Sequence, residues 1–499
     1  MGFQPMIVGA HGLEAHATLG YVRDRRLRYF WKFALEDQGI AKRRRLGPHG
    51  RSSLTISPFH PMVMHRRQFI KLAAKSTAGL IAAPYLLRST ARGATAPSNR
   101  IALGIIGVGG QGSAHLRLLV SEPRVCIVGI CDVDHGRRET AKKTVDTAYG
   151  AAAPSGVYRA CTTTEDFREL IARPDIDAVL IAVPDHWHAL IMIHAARAGK
   201  DIYAEKPFSL TIPEGRAMVK TVLESGVVCQ IGSQQRSSAE FQRCVELARN
   251  GFLGQLTRVK VGLPSSAGIL ADGPIENVPI PPGFNYDFWL GPAPWAPYCP
   301  QRCLYQFRWI FDYSGGQLTD WIGHHFDIGA WGAGVSRTGP VAIRNAWAQF
   351  PSGPLYNTAE EYYFEAHYAE GPVFEVTSRI RGGVEFIGTE GSCWADRGKT
   401  DFSSPTLRTV DIPSDGFRIR DPHASHWQNF FDCVVSRQTP RCPVEEAHRD
   451  ASVAHLANLA FRTGRTELRW DPGQEKIVDA PDAEHLLARA YRGPWALPC

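Results

Sequence analysis

From Arg100 onward, short unbroken apolar runs alternate with stretches of helical spacing. "RIALGIIGVG" is a continuous apolar run ending in glycines, as expected of a strand buried on both faces in a parallel sheet. "AHLRLLVSE" has helical spacing, "RVCIVGICDVD" reads as a second strand, and "RRETAKKTVDTAYG" as a second helix. A short "VYRACTT" follows, and Thr162-x-x-Glu165 reads as the capping box of a helix "EDFRELIAR". "IDAVLIAVP", "DIYAEKP" and "VVCQIGS" are further strands, separated by the helices "ALIMIHAARAG" and "PEGRAMVKTVLESG"; Thr211-x-x-Glu214 caps the second. Six strands with intervening helices predict a doubly wound parallel (Rossmann) sheet over residues 98–235.

From about Gly254 the texture changes. "QLTRVKVGL", "VAIRNAWAQF", "EYYFEAHYA", "PVFEVTSRI" and "VEFIGTEGSCWAD" follow one another with few helices between them. This predicts an α+β domain over 236–499 with a mostly antiparallel, open-faced sheet. "SHWQNFFDCVVS" and "EEAHRDASVAHLANLAFRTG" are helical in pattern and are expected to pack back on the body. A Pro- and aromatic-rich insertion, 264–314, leads into "GGQLTDWIGHHFDIGAW". That stretch packs Asp320, His324, His325 and Asp327 into eight positions of an otherwise apolar segment. They read as metal ligands, acid/base machinery or the polar rim of an ordinary helix.

At 499 residues the chain exceeds what one hydrophobic core supports, which fits two domains. The net charge of +7 is unevenly placed: residues 1–100 hold 17 basic against 4 acidic side chains, and the remainder 39 against 45. The body is therefore mildly acidic, and a nucleic-acid partner loses its main support. Within the basic leader, Arg66-Arg67-x-Phe69-Ile70-Lys71 precedes a moderately apolar stretch and a small-residue segment ending at Ala96. This is the layout of a twin-arginine export signal, placed at 64–97, with 1–63 expected to be an unstructured or mis-assigned extension. The expectation is a periplasmic protein that uses the twin-arginine machinery. Eleven scattered cysteines form no zinc pattern; the close pair Cys299 and Cys303 reads either as buried or free thiols in a loop, the favoured reading, or as a pair that a periplasmic chain would oxidise.

Gly107-Val-Gly109-Gly110-Gln111-Gly112 follows the first strand, opens a helix, and is followed by Asp132 at the end of the next strand. In that context G-x-G-x-x-G is a dinucleotide fingerprint. The glycines admit the pyrophosphate, the helix N-terminus stabilises its charge, and Asp132 accepts hydrogen bonds from the adenosine ribose. Asp132 favours NAD; Arg137 and Arg138 close by keep NADP open. "VPDHWHA" and "AEKPFSL" end the fourth and fifth strands, where open α/β sheets bind ligands. Pro184, His188, Glu205 and Lys206 therefore join the cofactor set, with Lys206 aimed at substrate. Asp320 and His324, spaced i, i+4, share one helix face. A histidine supplies a base of near-ambient pKa for alcohol oxidation. A metal site uses the same spacing but lacks a third ligand motif, so no metal is expected. Arg236 and Arg308 are candidates for sugar hydroxyls or a carboxylate, or for salt bridges at the sheet rim. His325 and Asp327 sit off the Asp320–His324 face.

Together, G-x-G-x-x-G, the strand-end E-K-P and G-G-x-x-x-D-x-x-x-H resemble the Gfo/Idh/MocA family over roughly residues 100–495. "WLGPAP", "GTEGS" and "RAYRGPW" look like an exported bacterial branch of it. The resemblance implies hydride transfer from a secondary alcohol of a sugar, polyol or related cyclic alcohol to NAD. It places the family's lysine on Lys206, its aspartate on Asp320 and its histidine on His324. His324 would take the hydroxyl proton, Lys206 would tune that oxygen, and Asp320 would hold substrate or orient His324. The same half-site serves relatives that cleave glycosidic bonds by transient oxidation with tightly held NAD. A non-catalytic sugar sensor could dispense with these residues. A homo-oligomer formed through the open sheet face is also expected.

Overall fold

The computed structural model describes residues 100–152, 160–270 and 275–498. The export signal and the extension before it lie outside the described residues.

The first sheet is built from β1 (Ile101–Ile106), β2 (Val125–Cys131), β3 (Thr162–Thr164), β4 (Ala178–Ile181), β5 (Asp201–Ala204) and β6 (Cys229–Ile231). All pairings are parallel, in the order β3-β2-β1-β4-β5-β6. The chain thus leaves β1 in one direction and returns past it to β4, opening a crevice at the carboxyl ends of these two strands. Every residue of β4 and β5 is buried, which is why these strands read as unbroken apolar runs. The connecting helices are α1 (Gly110–Leu119), α2 (His135–Ala152), α3 (Phe167–Ile171), α4 (Asp185–Arg197) and α5 (Ile212–Ser225). Thr211 caps α5 by accepting from the Glu214 amide, as read from the sequence. The Thr162 cap is corrected: Thr162 lies in β3, and Asp166 caps α3 by accepting from the Arg168 amide. Both motifs place an oxygen before "FREL", and the carboxylate nearer the helix takes the cap.

The helix α6 (Ala239–Arg249), which the strand pattern passes over, leads into the second domain. Its sheet orders β13-β12-β11-β7-β10-β9-β8-β14-β15, where β7 is Leu256–Gly262, β8 Ala342–Gln349, β9 Glu361–His367 and β10 Val373–Thr377. "VEFIGTEGSCWAD" is two strands, β11 (Gly383–Gly388) and β12 (Ser392–Asp396), and β13 (Lys399–Phe402) extends the meander. The sheet is mostly antiparallel, with β10 and β7 running parallel. Two short strands, β14 (Leu468–Asp471) and β15 (Lys476–Ile477), close its other edge.

A short helix in the insertion, α7 (Tyr286–Leu290), precedes α8 (Gly316–Ala333). The covered face of the second sheet packs on α8, with Phe326 and Phe374 ring centroids 4.9 Å apart. Buried almost all round, α8 must satisfy each of its polar groups inside the protein or in a cleft. Of the last three helices, α9 (Pro405–Thr409) is brief. The other two, α10 (His426–Ser436) and α11 (Val444–Arg462), pack back as expected. On α10, Trp427 stacks on Tyr203 of β5 at 3.8 Å and donates its indole N–H to His115 Nδ1 of α1 at 3.1 Å. Ala447 and Ala451 of α11 enter the core of the first domain, while Val453, Leu456 and Ala460 enter that of the second.

Buried histidines make the fold acid-sensitive. Burial pushes His186 and His426 down to about 4 and His455 to about 3. Unfolding releases each to a pKa near ~6.5, so the unfolded chain binds more protons below that pH and stability falls. Each such histidine contributes a loss of about 1.4 kcal/mol per pH unit between its two pKa values. Asp185 and Asp450, whose carboxyls burial pushes up, offset part of this by holding protons in the fold. The thermal midpoint should therefore drop steadily from about pH 7 to about pH 5. A midpoint that is flat or rises across that window would contradict the histidine assignment.

Candidate active site

The glycine loop joins β1 to α1. Gly107 has φ +86°, and a Cβ there would stand 2.3 Å from the Ala182 carbonyl oxygen; a Cβ on Gly112 would stand 1.9 Å from that of Gly107. Both positions are closed to side chains because the loop packs on the end of β4. Gly110 is the converse: a Cβ there meets nothing within 4 Å, so backbone lies open at the start of α1. Asp132 follows directly on β2 beside this opening. Its Oδ2 accepts from the Val108 amide at 2.8 Å and its Oδ1 from the Asp134 amide at 2.9 Å. Burial raises the Asp132 pKa against these bonds. The carboxylate braces the glycine loop while each oxygen keeps a lone pair for a ribose hydroxyl. An exposed backbone cradle, orphan helix-start amides and an acceptor at the next strand end fit an adenine dinucleotide. Arg138 donates to the Asp132 carbonyl and lies 3.8 Å from Glu165. Arg137 Nη1 hangs 3.3 Å from where a Gly109 Cβ would be.

Across the crevice, Lys206 follows β5 and Asp320 and His324 lie on α8. Lys206 Nζ donates to Asp320 Oδ1 at 2.9 Å, and Arg308 Nε donates to the same oxygen at 3.2 Å. Burial pushes the Asp320 carboxyl up, but the charges of Lys206 and Arg308 outweigh it and hold the group below the ordinary aspartate value. The lysine and aspartate side chains are 12% and 8% exposed, so the pair sits at the floor of the cleft. His324 is 6% exposed. Burial, then the charges of Lys206 and Arg397, hold its pKa well below the ordinary histidine value. Its Nδ1 is sealed without a partner. Nε2 makes no hydrogen bond within the protein yet is not among the sealed atoms, so it is the nitrogen left to meet a substrate. Asp320 therefore orients Lys206 and Arg308, not the His324 ring.

Several expected contacts are corrected. Glu205 points into the protein, where His115 Nε2 donates to it at 2.7 Å and Gln234 at 2.9 Å. Because the Trp427 indole occupies His115 Nδ1, the proton sits on Nε2 and faces the carboxylate. Gln111 reaches the same carboxylate at 3.4 Å. Glu205 and Gln111 thus tie the glycine-loop helix to β5. His188 donates Nε2–H to the Val183 carbonyl at 3.0 Å and is 1% exposed, shaping the loop behind Pro184, the N-cap of α4. Arg236 is 1% exposed: Asp327 accepts from its Nε at 2.7 Å and its Nη2 at 2.6 Å, and Glu446 from its Nη1 at 2.7 Å. Those ion pairs remove it from the substrate set and lock the end of β6 to α8 and α11. His325 Nδ1 lies 2.8 Å from the Gly262 carbonyl, away from the Asp320 face.

Two residues were not singled out from the sequence. Asp185, in the quoted "VPDHWHA", is 4% exposed near Arg308 and Asp320. Arg397, on the β12–β13 turn, reaches the site because the sheet carries its hairpin there. Its guanidinium lies 4.6 Å over the Trp321 ring. With its amide oriented to satisfy its neighbours, Gln235 accepts from Arg397 Nε at 3.2 Å and donates to the His324 carbonyl at 2.7 Å. Among the described residues no group of three His, Cys, Asp or Glu side chains is placed to hold a metal ion.

Residues 101–233 match the oxidoreductase family with an NAD-binding Rossmann fold, and residues 261–353 and 406–497 match that family's C-terminal alpha/beta domain. The chain is 24% identical over 379 residues to the scyllo-inositol 2-dehydrogenase (NAD+) of Bacillus subtilis, covering 73% of this chain and 95% of that protein. A glycosyl hydrolase family 109 protein of a Shewanella species is 29% identical over 211 residues, 39% of this chain and 44% of that protein. In structure the chain is similar to GenD2 from gentamicin A biosynthesis, solved in complex with NAD. The TM-score there is 0.53 at 21% identity, over 74% of this chain and 97% of that one.

Two substitutions separate the two halves of the site. Gly112→Ala should remove nucleotide binding, measured by titration, because its Cβ collides with the Gly107 carbonyl. Asp320→Asn should keep nucleotide affinity and lower kcat by about a hundredfold or more, since it strips the counter-charge from Lys206. Nucleotide loss in Asp320→Asn, or nucleotide retention in Gly112→Ala, would refute this division.

Proposed function

The chain belongs to the Gfo/Idh/MocA family of NAD-binding oxidoreductases, and from that premise we propose that it oxidises a secondary hydroxyl of a sugar, polyol or related cyclic alcohol, using Lys206, Asp320 and His324. The observation that carries this reading is the convergence of the Lys206–Asp320 pair and the open Nε2 of His324 on the cleft. The bracing of the glycine loop by Asp132 supports the cofactor half of it. NAD, when bound, supplies the acceptor for the hydride leaving the carbinol carbon.

The side chains do the rest. Lys206 Nζ donates one hydrogen bond to Asp320 and keeps two N–H groups for the substrate oxygen, steadying the charge that develops there. His324 Nε2 accepts the hydroxyl proton, which its neutral state permits. The surrounding burial excludes water from the reacting carbon. Since burial and the neighbouring cations hold its pKa well below the ordinary value, His324 stays neutral until the medium is distinctly acidic. The acid limb of kcat/KM should therefore lie on the acid side of the ordinary histidine value of about 6.5, with no inflection at that value. Lys206→Ala should abolish turnover and leave nucleotide binding largely intact. An inflection at the ordinary histidine value, or a Lys206→Ala variant with near-normal kcat, would count against these roles.

The reading extends to location. Arg66-Arg67 and the segment after it support twin-arginine export to the periplasm. Such export moves folded protein into a compartment not supplied with free nicotinamide nucleotides. The cofactor would then travel bound and be re-oxidised in place by a second substrate, making the reaction redox-neutral with ping-pong kinetics. Protein purified from the periplasm should release near-stoichiometric nucleotide on heating; protein that arrives empty would overturn this. The likeness to the glycosyl hydrolase keeps a second outcome in view, in which transient oxidation leads to glycosidic cleavage. Sugar release without net reduced nucleotide distinguishes it. The open sheet face, with Arg258, Glu375, Trp347 and Arg379 along it, supports a homo-oligomer. Sedimentation of a lone chain at micromolar concentration would argue against that.

A further inference from the structure

The insertion of the second domain meets the first domain beside the ribose acceptor. Directly after Asp132 the chain pairs with insertion backbone in a short antiparallel bridge. Asp134 lies opposite Phe284, the His135 amide donates to the Gly283 carbonyl at 2.9 Å, and the Asn285 amide donates to the Val133 carbonyl at 3.0 Å. Val133 and Phe284 both pack against the core of the insertion. The Asp134 amide is also the donor that braces Asp132 Oδ1, so one short stretch holds both the ribose acceptor and the insertion. At the surface beside it, Asn285 Nδ2 donates to Glu165 Oε1 at 3.2 Å. Arg138, which donates to the Asp132 carbonyl, faces the other Glu165 oxygen at 3.8 Å.

The insertion is tied again on the far side of β1. Asn285 starts α7 by accepting from the Phe288 amide at 3.0 Å. At the other end of α7, the Trp289 carbonyl accepts from His186 Nε2 at 2.9 Å and from Trp187 Nε1 at 3.0 Å. The Phe288 ring stacks on that of Trp187, with centroids 5.4 Å apart. His186 and Trp187 open α4, just beyond Pro184 at the end of β4. The C-terminal tail holds α7 in turn, Arg492 donating to the Gly291 carbonyl at 2.9 Å and to Asp287 Oδ1 at 2.6 Å. In the sheet β1 lies between β2 and β4. A segment fixed at the ends of β2 and β4 therefore passes the carboxyl end of β1, where the glycine loop lies.

We propose that residues 283–291 are a clasp that closes the adenosine end of the nucleotide crevice, so that NAD leaves only when the bridge to residues 133–135 opens. This rests on the NAD-binding fold and does not depend on which hydroxyl is oxidised. It assigns to the insertion the retention of cofactor that a redox-neutral cycle needs. Opening of such a segment governs release, and weakening it acts on the dissociation rate above all.

The test is the rate at which loaded protein releases NADH, followed as loss of nucleotide fluorescence on a chase with excess NAD. ADP-ribose, preloaded and displaced by NADH, probes the adenosine half alone. Gly283→Val puts a branched side chain at φ +81° and a Cβ 3.3 Å from that of His135, which forces the bridge apart. Asn285→Ala removes the Glu165 bond and the α7 cap. Gly283→Val should release both probes about tenfold or more faster than the parent protein, and Asn285→Ala about threefold faster. Thermal midpoints check that each variant folds; where Gly283→Val does not, Asn285→Ala decides by the same criteria. The proposal is overturned if release is unchanged or slower. It is equally overturned if NADH is hastened and ADP-ribose is not, because the effect then lies at the nicotinamide end. Either result leaves NAD binding and the oxidoreductase reading standing. A parent protein that takes up no NADH would sink the bound-cofactor reading and the clasp together.

Discussion

A single carboxylate oxygen, Asp320 Oδ1, organises the cleft. It accepts from Lys206 at 2.9 Å and from Arg308 at 3.2 Å, and so joins the strand end of one domain to a helix and a loop of the other. A buried carboxylate is costly unless hydrogen-bonded and neutralised, and a lysine mostly withdrawn from water is costly without a counter-ion. Each satisfies the other only if the two domains keep their present relation. That requirement holds the lysine over the place where the crevice of the first sheet opens. It also leaves the second oxygen of Asp320 without a protein hydrogen bond, available to a substrate hydroxyl.

The helix α8 can serve the cleft because its other polar groups are satisfied elsewhere. Toward one side it presents Asp320 and His324. Toward another it gives Asp327 to Arg236, which also binds Glu446 of α11. With Asp450 added, whose carboxyl is pushed well up first by burial and then by the charge of Asp327, this cluster carries three carboxyl groups around one guanidinium. Breaking such a pair from one side leaves a buried charge, so it resists sliding of α8 against β6. The Glu205–His115–Trp427 chain does the same on the nucleotide side, tying α1 to β5 and α10. Between these two ties the reacting groups have little freedom, which favours a positioned over an adaptive site.

Features that depend on local spacing were legible in the sequence. The six parallel strands show as apolar runs because they are buried on both faces. The glycine loop shows because only glycine avoids its backbone contacts. Lys206, Asp320 and His324 stand out at a strand end and at helical spacing. What sequence reasoning missed depends on partners distant in the chain. Arg236 read equally as a substrate arginine or a salt-bridge partner, and only Asp327 and Glu446, arriving from other elements, decide for the second. Glu205 and His188 sit in motifs that face the cleft, yet their side chains turn inward to His115 and to the Val183 carbonyl. Arg397 belongs to no motif and enters the site only through the fold of the β12–β13 hairpin. The Thr162 cap failed on competition between two nearby oxygens, which a pattern cannot rank.

The most direct test of the central claim is a double-mutant cycle on Lys206 and Asp320, read as the single-turnover rate of reduction of bound nucleotide under saturating substrate. If the two side chains act as one unit on the substrate oxygen, the double variant Lys206→Met with Asp320→Asn should be little slower than the slower single variant. If the two losses instead multiply, lysine and aspartate act independently, and the account of the cleft built on their shared hydrogen bond is wrong.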